Sequence, residues 1–120
     1  MSRDHRKLRV FVLADGLVAQ IYTITQQFPV AERFGLQSQL RRAAVSAACN
    51  IVEGCARRST SEYLNFLNIA AGSASEARYL AELSGRLGFL SQEESLSAMA
   101  TYTELAAGLE GLIQSLSHGP

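Results

Sequence analysis

The sequence predicts an all-α fold, and the arrangement it favours is an antiparallel, up-down four-helix bundle. Four segments carry apolar residues at the alternating three- and four-residue spacing of an amphipathic helix. No segment shows the sustained alternation of apolar and polar residues that a half-buried strand needs. Prolines occur only at Pro29 and Pro120, so long helices can run between them without interruption.

The first helix is predicted at residues 10–28 and the second at residues 34–54. Pro29 ends the first, because the residue before a proline disfavours the helical conformation. In the second, the run from residue 43 to residue 49 contains almost only small side chains, which lets a neighbouring helix approach closely. Gly54 is the expected stop of this helix, since glycine often follows the last helical residue.

The third and fourth helices are predicted at residues 60–87 and 92–116, and a capping box precedes each of them. In each box a serine stands three residues before a glutamate: Ser59 with Glu62, and Ser91 with Glu94. Gly88 is expected to end the third helix. Short links between long amphipathic helices favour antiparallel neighbours. The whole chain, residues 1–120, is expected to form one domain.

Charged residues make up 18% of the chain, below the roughly 25% of an ordinary soluble domain. This shortage predicts that part of the surface is buried against identical copies. Residues 1–60 carry nine Lys and Arg against four Asp and Glu, a net charge of +5. Residues 61–120 carry two against seven, a net charge of −5. Two interpretations stay open: the basic half presents a positive surface, or antiparallel helices neutralise each other.

Histidine, which a catalytic triad or a di-metal bundle needs, is missing from the predicted helices. The histidines, His5 and His118, stand near the ends of the chain, so neither a triad with serine or cysteine nor a metal site is predicted. Cys49 and Cys55 point to opposite sides of a helix and are expected to be buried, unbridged thiols. No GxxxxGK[ST] phosphate loop occurs. We therefore expect a protein without enzymatic activity, cofactor or metal.

The N-terminal segment resembles a secretion signal only in part. Four basic residues within positions 3–9 precede an apolar run at residues 10–14, but Asp15 and Gly16 interrupt that run after five residues. No stretch approaches the ~20 apolar residues of a membrane span. The sequence therefore predicts a cytoplasmic protein that does not contact a membrane.

The candidate functional residues are Arg41 and Arg42 in the second predicted helix and Arg57 and Arg58 just after it. Together with Arg33 they are expected to form a basic cluster near one end of the bundle. Guanidinium groups bind phosphate oxygens in bidentate fashion, and phosphate contacts dominate nucleic-acid affinity. The pattern therefore predicts weak RNA or DNA binding through these two pairs of arginines.

The same arginines have an alternative, structural role. Glu53 stands four residues before Arg57, and Glu32 and Glu62 are also near in sequence, so ion pairs inside the chain can occupy these side chains. In that case the molecule is a structural or adaptor protein whose partner is another protein and not a nucleic acid. Net neutrality and the low charged fraction favour this alternative.

Several stretches resemble the four-helix bundle proteins that are encoded in intervening sequences of bacterial 23S rRNA genes. The resemblance is carried by ERFGL at 32–36, SQLRRAAVS at 38–46, NIVEG at 50–54, FLNIA at 66–70 and LGFL at 87–90. It extends in order and spacing over nearly the whole chain, from about Leu8 to Leu116.

That resemblance implies an antiparallel four-helix bundle that assembles into a ring-shaped homopentamer. Related proteins include the accessory variability determinants of diversity-generating retroelements, whose basic surfaces bind nucleic acid and a reverse transcriptase. Neither group implies an enzymatic activity. The expected partners are therefore further copies of this chain, together with RNA, DNA or another protein.

Overall fold

The computed structural model describes residues 3–117, and within that range it contains four helices and no strand. The helices are α1 (Arg9–Thr25), α2 (Leu36–Cys55), α3 (Thr60–Arg86) and α4 (Gln92–Ser117). Short 3-10 turns at His5–Lys7 and Val30–Glu32 precede α1 and α2. The predicted all-α fold is confirmed, while His118 and Pro120 lie outside the described residues.

The helices form an antiparallel bundle in which each packs against the next and α4 packs back against α1. Between α1 and α4, Val10 lies beside Gly108, whereas Gln20 donates to Ser97. Residue numbers therefore rise along one helix as they fall along the other. The bundle measures 49 × 21 × 19 Å. In this arrangement α1 and α2 form one side of the bundle, and α3 and α4 form the opposite side.

The two ends of the bundle carry different connections. At one end, which we call the loop end, residues 26–35 join α1 to α2 and residues 87–91 join α3 to α4. At the other, the terminal end, residues 56–59 join α2 to α3. There the segment before α1 also lies against the end of α2, because Arg3 N donates to Cys55 O at 2.8 Å. Residues far apart in sequence therefore meet at each end.

The core consists mainly of aliphatic side chains, and alanines line the close contact between α2 and α3. Its largest aliphatic members are Leu17, Ile21, Leu40, Ile51, Leu67, Leu105 and Leu109. Gly54 lies inside α2, which continues to Cys55, so the expected stop at Gly54 is wrong. A Cβ atom at this position would come within 3.0 Å of Tyr63 Cδ1 and Phe66 Cβ. The glycine is therefore required for packing against α3 and not for ending α2.

α1 ends at Thr25, three residues earlier than predicted. The Thr25 hydroxyl donates to Ile21 O at 2.6 Å, and the Thr25 carbonyl accepts from Gln37 Nε2 at 2.9 Å. A side chain of α2 therefore satisfies a carbonyl that the helix end leaves free. Phe28 lies beyond the end of α1 but is buried against Phe89, which belongs to the connection between α3 and α4. Their ring centroids are 5.7 Å apart.

α2 begins at Leu36, two residues later than predicted. Glu32 accounts for the shift, because its Oε1 accepts the Leu36 N–H at 3.1 Å and caps the helix from the preceding turn. Glu32 thus acts as a cap instead of the ion-pair partner that the sequence suggests. Phe34 consequently stays in the loop, where it is 90% exposed.

The predicted capping box at Ser91 forms completely, whereas at Ser59 the hydroxyl caps α3 and the Glu62 carboxylate accepts from that hydroxyl. Glu62 N donates to Ser59 Oγ at 3.1 Å, and Glu94 N donates to Ser91 Oγ at 3.0 Å. The Ser91 N–H in turn donates to Glu94 Oε1 at 2.9 Å, and this bond lowers the pKa of Glu94. After α3, Gly88 adopts a φ of +81°, the left-handed conformation in which many helices end.

Two tyrosines are buried in the bundle, and their hydroxyls differ in environment. Burial raises the pKa of Tyr63 to about 12, and the Cys55 thiol is its neighbour. Burial also raises the pKa of Tyr102, whose hydroxyl has no hydrogen-bond partner within residues 3–117. Burial likewise raises the pKa of Cys55, which makes this thiol a poor nucleophile. Cys49 is exposed, so the expectation that both thiols are buried is wrong for that residue.

Replacing Gly54 with valine is expected to destabilise the protein by about 1–3 kcal/mol, because the branched side chain overpacks the contact between α2 and α3. The matched control is Gly16→Ala in α1, where an added Cβ has no neighbour within 4 Å. That change should stabilise the protein by about 1 kcal/mol through helix propensity. Urea unfolding followed by circular dichroism at one protein concentration measures both. Effects of the same sign at the two sites would contradict the packing role of Gly54.

Tyr102→Phe is expected to stabilise the protein by about 1 kcal/mol at neutral pH, because it removes a buried hydroxyl without a partner. Tyr63→Phe should bring no such gain.

Raised pKa values mean that folded tyrosines stay protonated while those of the unfolded chain ionise above pH ~10. The buried tyrosines therefore make their full contribution to the free energy of unfolding below that pH, and this contribution decreases as the pH rises toward 12. Urea unfolding over this alkaline range should show a shallower fall for Tyr102→Phe, and unchanged slopes would argue against its burial.

Candidate nucleic-acid interface

Arg41 is half-buried, and its guanidinium is held inside the chain. Its Nε donates to Thr25 Oγ1 at 2.8 Å and its Nη2 donates to Tyr22 O at 3.2 Å. The guanidinium carbon also lies 4.5 Å from the centre of the Tyr22 ring, within the range of a cation–π contact. Arg41 therefore ties the start of α2 to the last turn of α1. These bonds occupy the donors that a phosphate would need.

Arg57 is engaged as well. Its Nη2 pairs with Glu53 Oε2 at 2.8 Å, as the spacing of four residues predicts. Its guanidinium carbon lies 5.0 Å from the centre of the Phe66 ring on α3. Its Nε is buried and has no hydrogen-bond partner within residues 3–117. The cation is therefore fixed at the end of α2 and keeps one donor unused.

Arg42 and Arg58 are exposed, and so is Arg33. Within the described part of the chain, none of the three belongs to an ion pair. Arg42 borders a polar groove between α2 and α3, whose other lining residues are Gln39, Ala43, Ser46 and Glu76. The charge of these three arginines is therefore accessible to a ligand.

The four predicted arginines do not form one cluster. Arg41 and Arg42 lie near the start of α2 at the loop end, whereas Arg57 and Arg58 follow its last residue at the terminal end. At about 1.5 Å per residue, the helix separates the two pairs by roughly 20 Å. The expected basic cluster at one end, with Arg33 as a member, is therefore wrong. A continuous helix between the pairs keeps them apart.

The terminal end holds Arg57 and Arg58. It also holds Arg3 and Lys7, which the sequence does not predict as site residues. Arg3 Nη1 donates to Arg57 O at 3.5 Å, and its guanidinium lies 4.0 Å from the centre of the Tyr63 ring. Lys7 is exposed in the turn before α1. We call Arg3, Lys7, Arg57 and Arg58 the terminal basic surface. Its signal in the sequence is the basic N-terminal run, since an antiparallel bundle puts the start of α1 beside the end of α2.

Carboxylates reduce the charge of this region without cancelling it. Among residues 3–117, three ion pairs form: Arg6 with Asp4, Arg9 with Glu104, and Arg57 with Glu53. Hydrogen bonds from Arg6 lower the pKa of Asp4. Within residues 3–117, no carboxylate pairs with Arg3, Lys7 or Arg58. Glu62 in the first turn of α3 and Glu110 near the end of α4 lie toward the same end, and the helix dipoles contribute little there because neighbouring helices run in opposite directions.

The loop end is acidic by comparison. Arg33, Arg42 and Arg86 are exposed there. The glutamates on the loops and helix segments around them are Glu32, Glu76, Glu82, Glu93 and Glu94. A polyanion is therefore repelled more strongly at the loop end than at the terminal end.

A family model for the 23S rRNA-intervening sequence protein matches residues 6–111 of the sequence. The chain belongs to this family. The matched residues include all of α1, α2 and α3 and most of α4, so the resemblance carried by the sequence runs is confirmed at the level of the family.

One solved structure similar to this member of the 23S rRNA-intervening sequence protein family comes from Bacteroides thetaiotaomicron. It is a crystal structure of a protein with unknown function from the S23 ribosomal protein family. The two chains superpose with a TM-score of 0.81 at 25% identity, over 88% of this chain and 95% of that chain. No curated protein matches the sequence. The comparisons therefore establish the family and the fold but supply no activity.

Membrane-spanning helices and groups of metal ligands are both absent from the part of the chain that the structure describes. Within residues 3–117, no helix combines the length and the apolar character that crossing a bilayer requires. The same residues contain no group of His, Cys, Asp and Glu side chains placed to hold a metal ion.

Arg41→Ala is expected to destabilise the protein by about 1–3 kcal/mol, because it leaves the buried hydroxyl of Thr25 without its charged donor. The matched control is Arg42→Ala, which removes the same charge from an exposed position and should change stability by less than about 0.5 kcal/mol. Urea unfolding of the two variants measures the difference. Equal losses would show that Arg41 does not link α1 to α2.

Proposed function

We propose that the protein is a non-catalytic, self-assembling bundle that binds the phosphates of RNA or DNA weakly through the terminal basic surface. The observation that supports this most is the convergence of Arg3, Lys7, Arg57 and Arg58 at one end. Three of these cations have no carboxylate partner within residues 3–117. Phosphate contacts give affinity without base recognition, so the expected binding depends on salt more than on sequence.

Self-assembly is part of the proposal, because four cations in one copy give little affinity. Several copies that present the same surface multiply it through effective concentration. The resemblance to the family implies five copies in a ring, and the low charged fraction of 18% supports burial of surface between copies. A cytoplasmic location and a relation to the accessory variability determinants belong to the same proposal.

The four arginines first predicted as site residues take different parts in this proposal. Arg57 and Arg58 contribute directly to the terminal basic surface. Arg41 positions α2 against α1, and its bonds to Thr25 and Tyr22 support this structural role. Arg42 is exposed but lies among glutamates at the loop end, which makes it a comparison residue for the binding experiment.

An adaptor that binds another protein is the alternative function. Two observations favour it: Arg41 and Arg57 are engaged inside the chain, and Val30 and Phe34 expose apolar surface at the loop end. An adaptor of this kind does not need the terminal basic surface. The two functions therefore differ in whether purified protein binds nucleic acid at low salt.

Fluorescence anisotropy of a labelled single-stranded RNA, and of DNA of the same sequence, tests the proposal across a KCl series. Wild-type affinity should fall linearly on a log–log plot, by about 0.7 in slope for each phosphate neutralised. The double variant Lys7→Ala/Arg58→Ala should bind several-fold more weakly, with a slope that is smaller by about 1.4. The control Arg42→Ala/Arg78→Ala removes the same charge outside the terminal basic surface and outside any proposed contact between copies, and it should leave both quantities unchanged.

Two results would count against the proposal. Equal losses in the two double variants would mean that overall charge governs binding and that the terminal basic surface is no site. Absence of binding by the wild-type protein at low salt would reject nucleic acid as the ligand and leave the adaptor function as the better explanation.

A further inference from the structure

The connection between α1 and α2 presents an apolar knob at the loop end. Phe34 is 90% exposed and Val30 is 80% exposed. Successive backbone bonds order the turn, since Arg33 N donates to Val30 O at 3.1 Å and Gly35 N donates to Glu32 O at 3.0 Å. Two large apolar side chains one turn apart on an ordered segment are a contact surface. We call Val30 and Phe34 the knob.

A groove lies between α3 and α4 near the same end, with a volume of ≈ 350 Å³. Gly85 lines it and lets Ser95 of α4 pack closely against α3, since a Cβ atom at this position would collide with the Ser95 side chain. Leu96, which is 55% exposed, and Met99 give it an apolar wall, and a methionine side chain adapts readily to what it contacts. Glu82 and Arg86 also line it. We call this the α3–α4 groove.

The knob and the α3–α4 groove lie at one level of the bundle but on opposite sides. The knob belongs to the connection between α1 and α2, and the groove is formed by the last turns of α3 and the first turns of α4. Copies that stand side by side with parallel long axes therefore bring the knob of one copy opposite the groove of the next. No shift along the bundle axis is needed.

The charge distribution favours the same arrangement. Residues 1–60, which contain α1 and α2, carry a net charge of +5, and residues 61–120, which contain α3 and α4, carry −5. A two-fold contact places like sides together, whereas a head-to-tail contact places the basic side of one copy on the acidic side of the next. Locally, Arg33 adjoins the knob, and the groove is lined by both Glu82 and Arg86; within residues 3–117 none of the three belongs to an ion pair, so Glu82 is available to Arg33.

We propose that a second copy of this chain docks head-to-tail, with the knob of one copy in the α3–α4 groove of the next and Arg33 facing Glu82. This inference rests on the self-assembly proposed above and specifies the surfaces that produce it. Each copy offers one knob and one groove, so copies add in one direction until a ring closes.

Two variants, each blocking one of the two surfaces, test the contact by sedimentation velocity. Phe34→Ala removes the knob, and Leu96→Glu places a charge in the groove. Each alone is expected to be monomeric at a concentration at which the wild-type chain assembles. In an equal mixture, Leu96→Glu still offers a knob and Phe34→Ala still offers a groove, so the mixture is expected to form dimers and stop there.

The control variant is Ile69→Ala, which shortens a side chain that is 44% exposed on α3. Ile69 stands two turns before Glu76, which lines the groove between α2 and α3, so it lies outside the proposed contact. This variant should assemble like the wild-type chain. Unchanged far-ultraviolet circular dichroism would show that each variant is folded.

The outcomes separate this inference from the function on which it rests. A wild-type chain that stays monomeric at every concentration overturns both. Assembly of Phe34→Ala and Leu96→Glu to the wild-type size overturns the knob-and-groove contact alone, and so does a mixture that forms no dimer. A charge exchange gives an independent measurement: Arg33→Glu and Glu82→Arg should each weaken assembly, and their combination in one chain should restore it.

Discussion

The close packing of α2 against α3 is the contact on which the rest of the bundle depends. Alanines on both helices permit it, and Gly54 admits Tyr63 and Phe66 where any side chain would collide. Helices packed this closely cannot slide past each other without collision. Their register therefore fixes the short connection between them at the terminal end and holds Arg57 over Phe66.

The arginines of this chain show that one residue type serves two purposes according to its surroundings. Arg41 reaches a buried hydroxyl and a ring on the neighbouring helix, so its charge is used to join α1 and α2. Arg58 finds no carboxylate within residues 3–117 and keeps its charge accessible. A count of arginines in the sequence does not distinguish these cases, because the partners of Arg41 lie sixteen and nineteen residues away.

The opposite ends and opposite sides of the bundle differ in character, and this asymmetry connects the two proposals. Basic residues collect at the terminal end, whereas apolar residues are exposed at the loop end. The opposite charge of the two sides favours contacts between unlike surfaces of neighbouring copies. In the proposed assembly the copies stand parallel, and their terminal basic surfaces face the same direction, as the proposed binding of one polyanion requires.

The sequence by itself determined the helices, the serine caps of α3 and α4 and the pair of Glu53 with Arg57, because these depend on residues within four positions of each other. It also contained the small residues that bring α2 close to α3. Tertiary structure alone decided that Arg3 lies beside Arg57, that Arg41 and Gln37 of α2 reach Thr25, and that Phe28 packs against Phe89. These features depend on which elements are neighbours and in what register, which local periodicity does not specify.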